Sequence, residues 1–138
     1  MIRVLAALMV FSAMNETVAT KGQECQLVHV DPDGALVVRT AGVERRAEIF
    51  GVVVENPPPA LYLDIVGQRI HGGEMPLRCL VRSDRDGVLR AQFFYFAWRD
   101  KSGDVWEDLA ITLLERGVVR VSEERFPERV EYERHQRR

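Results

Sequence analysis

Residues 26–56, QLVHVDPDGALVVRTAGVERRAEIFGVVVEN, decide how the rest of the chain is read. Three extended runs follow one another here, with turn residues between them. Leu27 to Val30 is the first, and Asp31-Pro32-Asp33-Gly34 turns the chain. Leu36 to Thr40 is the second, and Ala41-Gly42 turns it back. Val43 to Val54 is the third and longest. Aspartate, proline and glycine between short β-branched runs are hairpin chemistry, so the stretch predicts an antiparallel meander.

Downstream, Pro57, Pro58 and Pro59 stop the third strand and suit the start of a helix. Residues 60–71, ALYLDIVGQRIH, read as that helix, with Leu61, Ile65, Val66 and Ile70 sharing an inward side and Gly72-Gly73 ending it. Pro76 to Ser83 reads as a fourth strand, Asp84 to Gly87 as a turn, and Val88 to Trp98 as an aromatic-rich fifth strand. Arg99 to Gly103 turns again. Asp104 to Arg116 reads as a second helix, with Trp106, Leu109, Ala110, Leu113 and Leu114 at helical spacing and Gly117 as its stop. Val118 to Val121 is a short extended piece, and residues 127–137 form a polar third helix.

Upstream, Arg3 precedes the apolar run Val4 to Ala13, and Thr17-Val18-Ala19 places small residues before a cleavage point. This reads as an export signal over residues 1–19, with a single domain over residues 20–138. The alternative is a first core helix or strand of a cytosolic protein. The apolar run is too short to span a bilayer, and Gly22-Gln23-Glu24 before Cys25 makes no lipid-attachment site. The expected location is therefore secreted or otherwise extracytoplasmic. Two cysteines, Cys25 and Cys79, in an exported chain suggest one disulfide, and two buried free thiols are the alternative.

The composition fits one domain. Of 138 residues, 46% are hydrophobic, enough for a real core, and 29% are charged. Net charge is −2 and the isoelectric point near 5.9, which argues against a large phosphate-tracking surface. Arginine is abundant, so a local basic patch remains compatible with that balance. His29, His71 and His135 have no metal-like spacing, and neither cysteine lies in a C-x-x-C pair. No glycine-rich phosphate loop follows a strand, and no serine sits in a nucleophile elbow.

The order DPDG, LVVRTAG, VERRAEIFGVVVEN resembles the start of a staphylococcal-nuclease-like (thermonuclease) domain. That family has an acidic D-G-D-T turn, a second strand, a glycine turn, and a third strand ending close to R-L-x-G-I-D-A-P-E. The later pieces match in order as well, so the resemblance runs from about Cys25 to the C-terminus. It implies a mainly β fold with helices, a five-stranded OB-type barrel. It also places Cys25 and Cys79 on neighbouring strands, which favours the disulfide.

The family cleaves phosphodiesters with one calcium ion, two arginines and a glutamate base. Carboxylate oxygens hold calcium, arginine forks neutralise charge on the phosphoryl group, and the glutamate activates water. Carried over residue by residue, the metal-binding aspartate of the first turn is Asp33, although Asp-Pro-Asp-Gly makes a β-turn without any metal. Aligning Gly51 with the glycine of L-x-G puts Glu48 where the first arginine belongs, Val53 at the second metal aspartate, and Asn56 at the general base. Aligning on Pro57 instead puts Glu55 at the aspartate and Pro58 at the base, leaving Asp33 and Glu55 as a weak calcium site. D-x-Y-G-R becomes Asp84 to Val88, so Val88 replaces the second arginine. Arg45 and Arg46 match ordinary solvated strand positions. Arg85 and Arg90 lie near Val88, but turn geometry and strand alternation aim them elsewhere, with a rescue by Arg90 as the alternative.

The expected function is thus that of an exported pseudoenzyme, a binding or assembly module with no cofactor, or calcium at most. Its partner is a protein or a single-stranded nucleic acid. Aromatics of residues 93–98 either pack the core or offer a platform for bases. A calcium-dependent secreted nuclease with a rearranged active site is the alternative.

Overall fold

The computed structural model describes residues 22–70 and 77–136. The expected export signal over residues 1–19, His71, Gly72-Gly73, Pro76 and the last two residues lie outside the described residues. Among the described residues there are eight strands: β1 (Gln23–Val30), β2 (Leu36–Thr40), β3 (Val43–Ile49), β4 (Val52–Val53), β5 (Leu77–Arg85), β6 (Val88–Asp100), β7 (Gly103–Asp108) and β8 (Arg120–Val121). Three short helices accompany them: α1 (Ala60–Asp64), which continues as a π-helical turn over Ile65–Ile70, α2 (Leu109–Glu115) and α3 (Arg129–Gln136).

Five strands close into a hydrogen-bonded ring. β1 pairs antiparallel with β2 and β5, β2 with β3, and β5 with β6. A parallel ladder from Arg46 opposite Val88 to Ile49 opposite Ala91 joins β3 to β6 and closes the ring. The tight β2–β3 and β5–β6 connections use Ala41-Gly42 and Asp86-Gly87, all four with positive φ, which matches the twist of the strands they join. Strand alternation points Ala47, Ile49, Leu89, Ala91 and Phe93 into the ring, where each is buried. Tyr62, Ile65 and Val66 cap one side of this core, and Leu109, Leu113 and Leu114 another.

Four sequence-based expectations need correction. The third strand does not run to Val54. It ends at Ile49, because the chain turns at Gly51 with φ 85°, and β4 then pairs with β8 instead. A Cβ at Gly51 would stand 2.7 Å from the Tyr132 ring, so only glycine lets α3 pack here. Secondly, the segment Asp104 to Asp108 is strand, not helix: β7 extends β6 as a hairpin, with Phe94 opposite Asp108 and Arg99 opposite Asp104. The Phe96 and Trp106 rings meet edge to face at 6.0 Å across that hairpin. The helix starts only after Asp108, whose carboxylate accepts the Ala110 amide at 2.9 Å as an N-cap. Thirdly, Leu61 faces outward, and Tyr62 takes the inward place because its hydroxyl donates to the Gly34 carbonyl at 2.5 Å. Fourthly, β6 runs on to Asp100, past the expected end at Trp98.

Of the aromatic run, Phe93 and Phe94 are buried, Tyr95 and Phe96 half-buried, and Trp98 exposed. The run therefore divides, with Phe93 and Phe94 in the core and Trp98 at the surface.

Candidate functional site

A cleft of about 390 Å³ opens beside the first turn, between β3, β4, β6, α1 and the loop after β8. Its shape follows from the local chain. The Asp31–Gly34 turn is closed by the Gly34 amide on the Asp31 carbonyl at 2.8 Å and the Ala35 amide on Asp33 Oδ1 at 3.1 Å. Tyr62 ties α1 to that turn. The reversal at Gly51 then swings Val52, Val53 and Val54 under the cleft as its apolar wall.

The charged side chains come from the outer face of the ring. Because Ala47, Ile49, Leu89 and Ala91 point inward, Arg46, Glu48 and Arg90 point outward on adjacent strands, with Glu48 directly opposite Arg90 in the β3–β6 ladder. Arg46 is therefore not an ordinary solvated strand arginine, as its position suggested; it lines the cleft. Its guanidinium donates to Asp31 Oδ2 at 2.8 Å and to Asp33 Oδ2. Arg45, one residue earlier, points the other way and pairs with Asp84 at 2.6 Å. Arg90 also reaches the cleft, where its Nη1 donates to both oxygens of Glu124 at 3.0 and 3.2 Å.

Every arginine of the cleft is thus neutralised by the chain itself. The hydrogen bond from Arg46, followed by that from the Ala35 amide, holds the Asp33 carboxyl below its usual range. The Arg46 guanidinium is pushed up, first by the hydrogen bond to Asp33, with smaller contributions from the charges of Asp33, Asp31 and Glu48. Both Asp33 oxygens are engaged, and calcium needs six to eight oxygen ligands. Among the described residues, no three His, Cys, Asp or Glu side chains gather as a cation site.

The other carried-over positions spread out. Glu48 lines the cleft and is exposed. Glu55 is outside the lining and exposed, 3.5 Å from Arg120. Asn56 precedes a cis peptide to Pro57 and is also exposed and outside the lining. Val88 and Arg85 border a second depression of about 520 Å³ that shares Glu48, Arg90 and Glu124 with the cleft. Cys25 and Cys79 are free thiols on adjacent strands β1 and β5, near one another but not at disulfide distance.

Sequence reasoning missed Arg46, Tyr62, Ser122 and Glu124 as lining residues. Arg46 was within reach, since period-two alternation puts it on the face of Glu48. Glu124 carried no signal, because a loop residue 34 positions from Arg90 in sequence meets it only in space. Compared with models of known families the chain matches none, and no curated protein matches it.

Proposed function

We propose that this chain is an exported, catalytically inactive module of staphylococcal-nuclease-like descent, built on an OB-type barrel, that binds a partner through the cleft. The observation that carries the reading is the state of the cleft's arginines. Arg46 is held by Asp31 and Asp33, and Arg90 by Glu124, while Glu48 stands between them on the same face. A phosphodiester entering here would have to break intramolecular ion pairs and face an added carboxylate. The barrel reading draws support from the closed ring, with its first strand beside β5 and its parallel β3–β6 closure.

The loss of chemistry is multiple. Removing one transition-state donor costs about 10²–10³ in rate, and losing a general base about 10²–10⁴. Such effects do not simply multiply, yet even partial additivity leaves little activity. That both Arg46 and Arg90 reach the cleft is what favours the alternative, a calcium-dependent phosphodiesterase with rearranged residues. A digestion assay separates the two readings. Single-stranded DNA and RNA, incubated with millimolar calcium, are expected to stay intact with wild type and with Asp33→Ala alike. Cleavage by wild type that disappears in Asp33→Ala would establish the enzyme instead.

A further inference from the structure

We infer that the cleft receives a basic side chain, lysine or arginine, presented by an extended segment of a partner protein. The inference rests on the reading of the cleft as a non-catalytic binding site and adds the chemistry of its occupant.

Charge decides the sign of the occupant. The cleft is lined by three acidic side chains, Asp33, Glu48 and Glu124, against two basic ones, Arg46 and Arg90. Asp33 and Glu124 are ion-paired within the cleft, as are both arginines. Glu48 makes no hydrogen bond or ion pair within 4 Å among the described residues, although its charge acts on Arg46 from farther away. An anionic ligand must first separate Arg46 from Asp31 and Asp33, or Arg90 from Glu124, and then lie against Glu48. A cation meets Glu48 without breaking any existing pair, and complementarity of that kind sets partner choice at interfaces.

Shape decides the rest. Beside Glu48 the wall is aliphatic: Val53 and Val54 are half-buried over buried Ile49 and Val52. Tyr62 is fully buried behind this wall with its hydroxyl on the Gly34 carbonyl, so it offers the occupant no donor. A lysine or arginine stem lies naturally along such a surface while its charged head sits at the mouth. A cleft of about 390 Å³ has room for such a side chain and its backbone neighbours.

The test uses fluorescence anisotropy on the intact chain with three labelled probes: a tetralysine peptide, a tetraglutamate peptide and an oligothymidine. The tetralysine peptide is expected to bind more tightly than either of the others at physiological salt. Glu48→Gln is expected to weaken it about tenfold or more, the scale of a lost charged hydrogen bond. Glu24→Gln removes the same formal charge from an exposed position on β1, outside the cleft, and is expected to leave affinity within about twofold of wild type. Thermal unfolding checks that both variants fold, as their exposed side chains lead one to expect. The inference is overturned if tetralysine does not bind, if oligothymidine or tetraglutamate binds more tightly, or if Glu48→Gln and Glu24→Gln behave alike. Failure here with no nuclease activity in the digestion assay removes this inference alone. Calcium-dependent cleavage removes the non-catalytic reading and this inference with it.

Discussion

Asp108 is the residue whose environment most strongly perturbs a carboxyl in this fold. It caps α2 through Ala110 and accepts the Tyr132 hydroxyl at 2.5 Å, and burial pushes its pKa up to about 6 despite those hydrogen bonds. The folded chain therefore keeps a proton on Asp108 between about pH 4 and pH 6 that the unfolded chain has already lost. Over that window this group makes stability fall as pH rises, by roughly 3 kcal/mol in all. Asn in its place keeps the cap without the charge. We predict that the stability of Asp108→Asn relative to wild type grows from pH 4 to pH 7 in denaturant titrations; a constant difference across that range would refute the role. Gly51 works through space instead. Alanine there combines a positive φ with contacts of 2.7 Å to Tyr132 and 3.1 Å to Phe126. Gly51→Ala is expected to cost about 2–4 kcal/mol, read as a lower melting temperature.

Among the elements, the β6–β7 hairpin shows how a helical pattern can mislead. Trp106, Leu109, Leu113 and Leu114 do recur at helical spacing, but only the last three are helical. Trp106 instead packs across the hairpin on Phe96 and under Arg78. Asp108 before an apolar run was a legible start signal, and reading it as the cap would have placed the boundary correctly. β1 and β5 raise the question of the cysteines. Cys25 lies opposite Leu77 and Cys79 opposite Gln23, so the two are diagonal neighbours on an antiparallel pair. Diagonal positions stand farther apart than a disulfide allows, so the two thiols influence one another without being joined. That influence raises the Cys25 thiol and lowers the Cys79 thiol. We propose that a small shift of β1 closes the bridge in the exported protein, adding roughly 2–5 kcal/mol. Intact mass after alkylation without reductant decides this: two alkylated thiols in protein exported from its own cell would exclude the bridge.

At the scale of the molecule, the C-terminal segment closes the structure rather than decorating it. Phe126 packs on Phe50 at 5.2 Å and on Tyr132 at 5.6 Å, and Tyr132 is buried against Gly51 and bonded to Asp108. Arg82 on β5 joins in, lying over Phe50 at 4.2 Å and pairing with Glu128 at 2.9 Å. A chain ending at Arg125 loses two packed aromatic rings, each worth about 3–5 kcal/mol by analogy with core truncations. It is expected to melt at least 10 °C lower than the full chain, on the order of that loss. It should also bind a hydrophobic dye that the full chain does not. An unchanged melting temperature would show that α3 is peripheral.

The sequence by itself determined the strand runs, the tight turns and the three helices in outline. These are local matters: residues with strong β preference, and glycine or aspartate where φ must be positive, act within a few positions of themselves. It also determined that an arginine is missing at Glu48 and at Val88 if the family register is applied. Only the tertiary structure decided that Arg46 and Arg90 fill the space nonetheless, and that Asp31, Asp33 and Glu124 neutralise them. Only the tertiary structure decided that residues 104–108 pair as a strand, since Trp106 satisfies either pattern until Phe96 lies beside it. The reason is the same in both cases. Periodicity reports which face a side chain takes on its own element, whereas ion pairs and ring contacts depend on what the closing ring brings across from distant sequence.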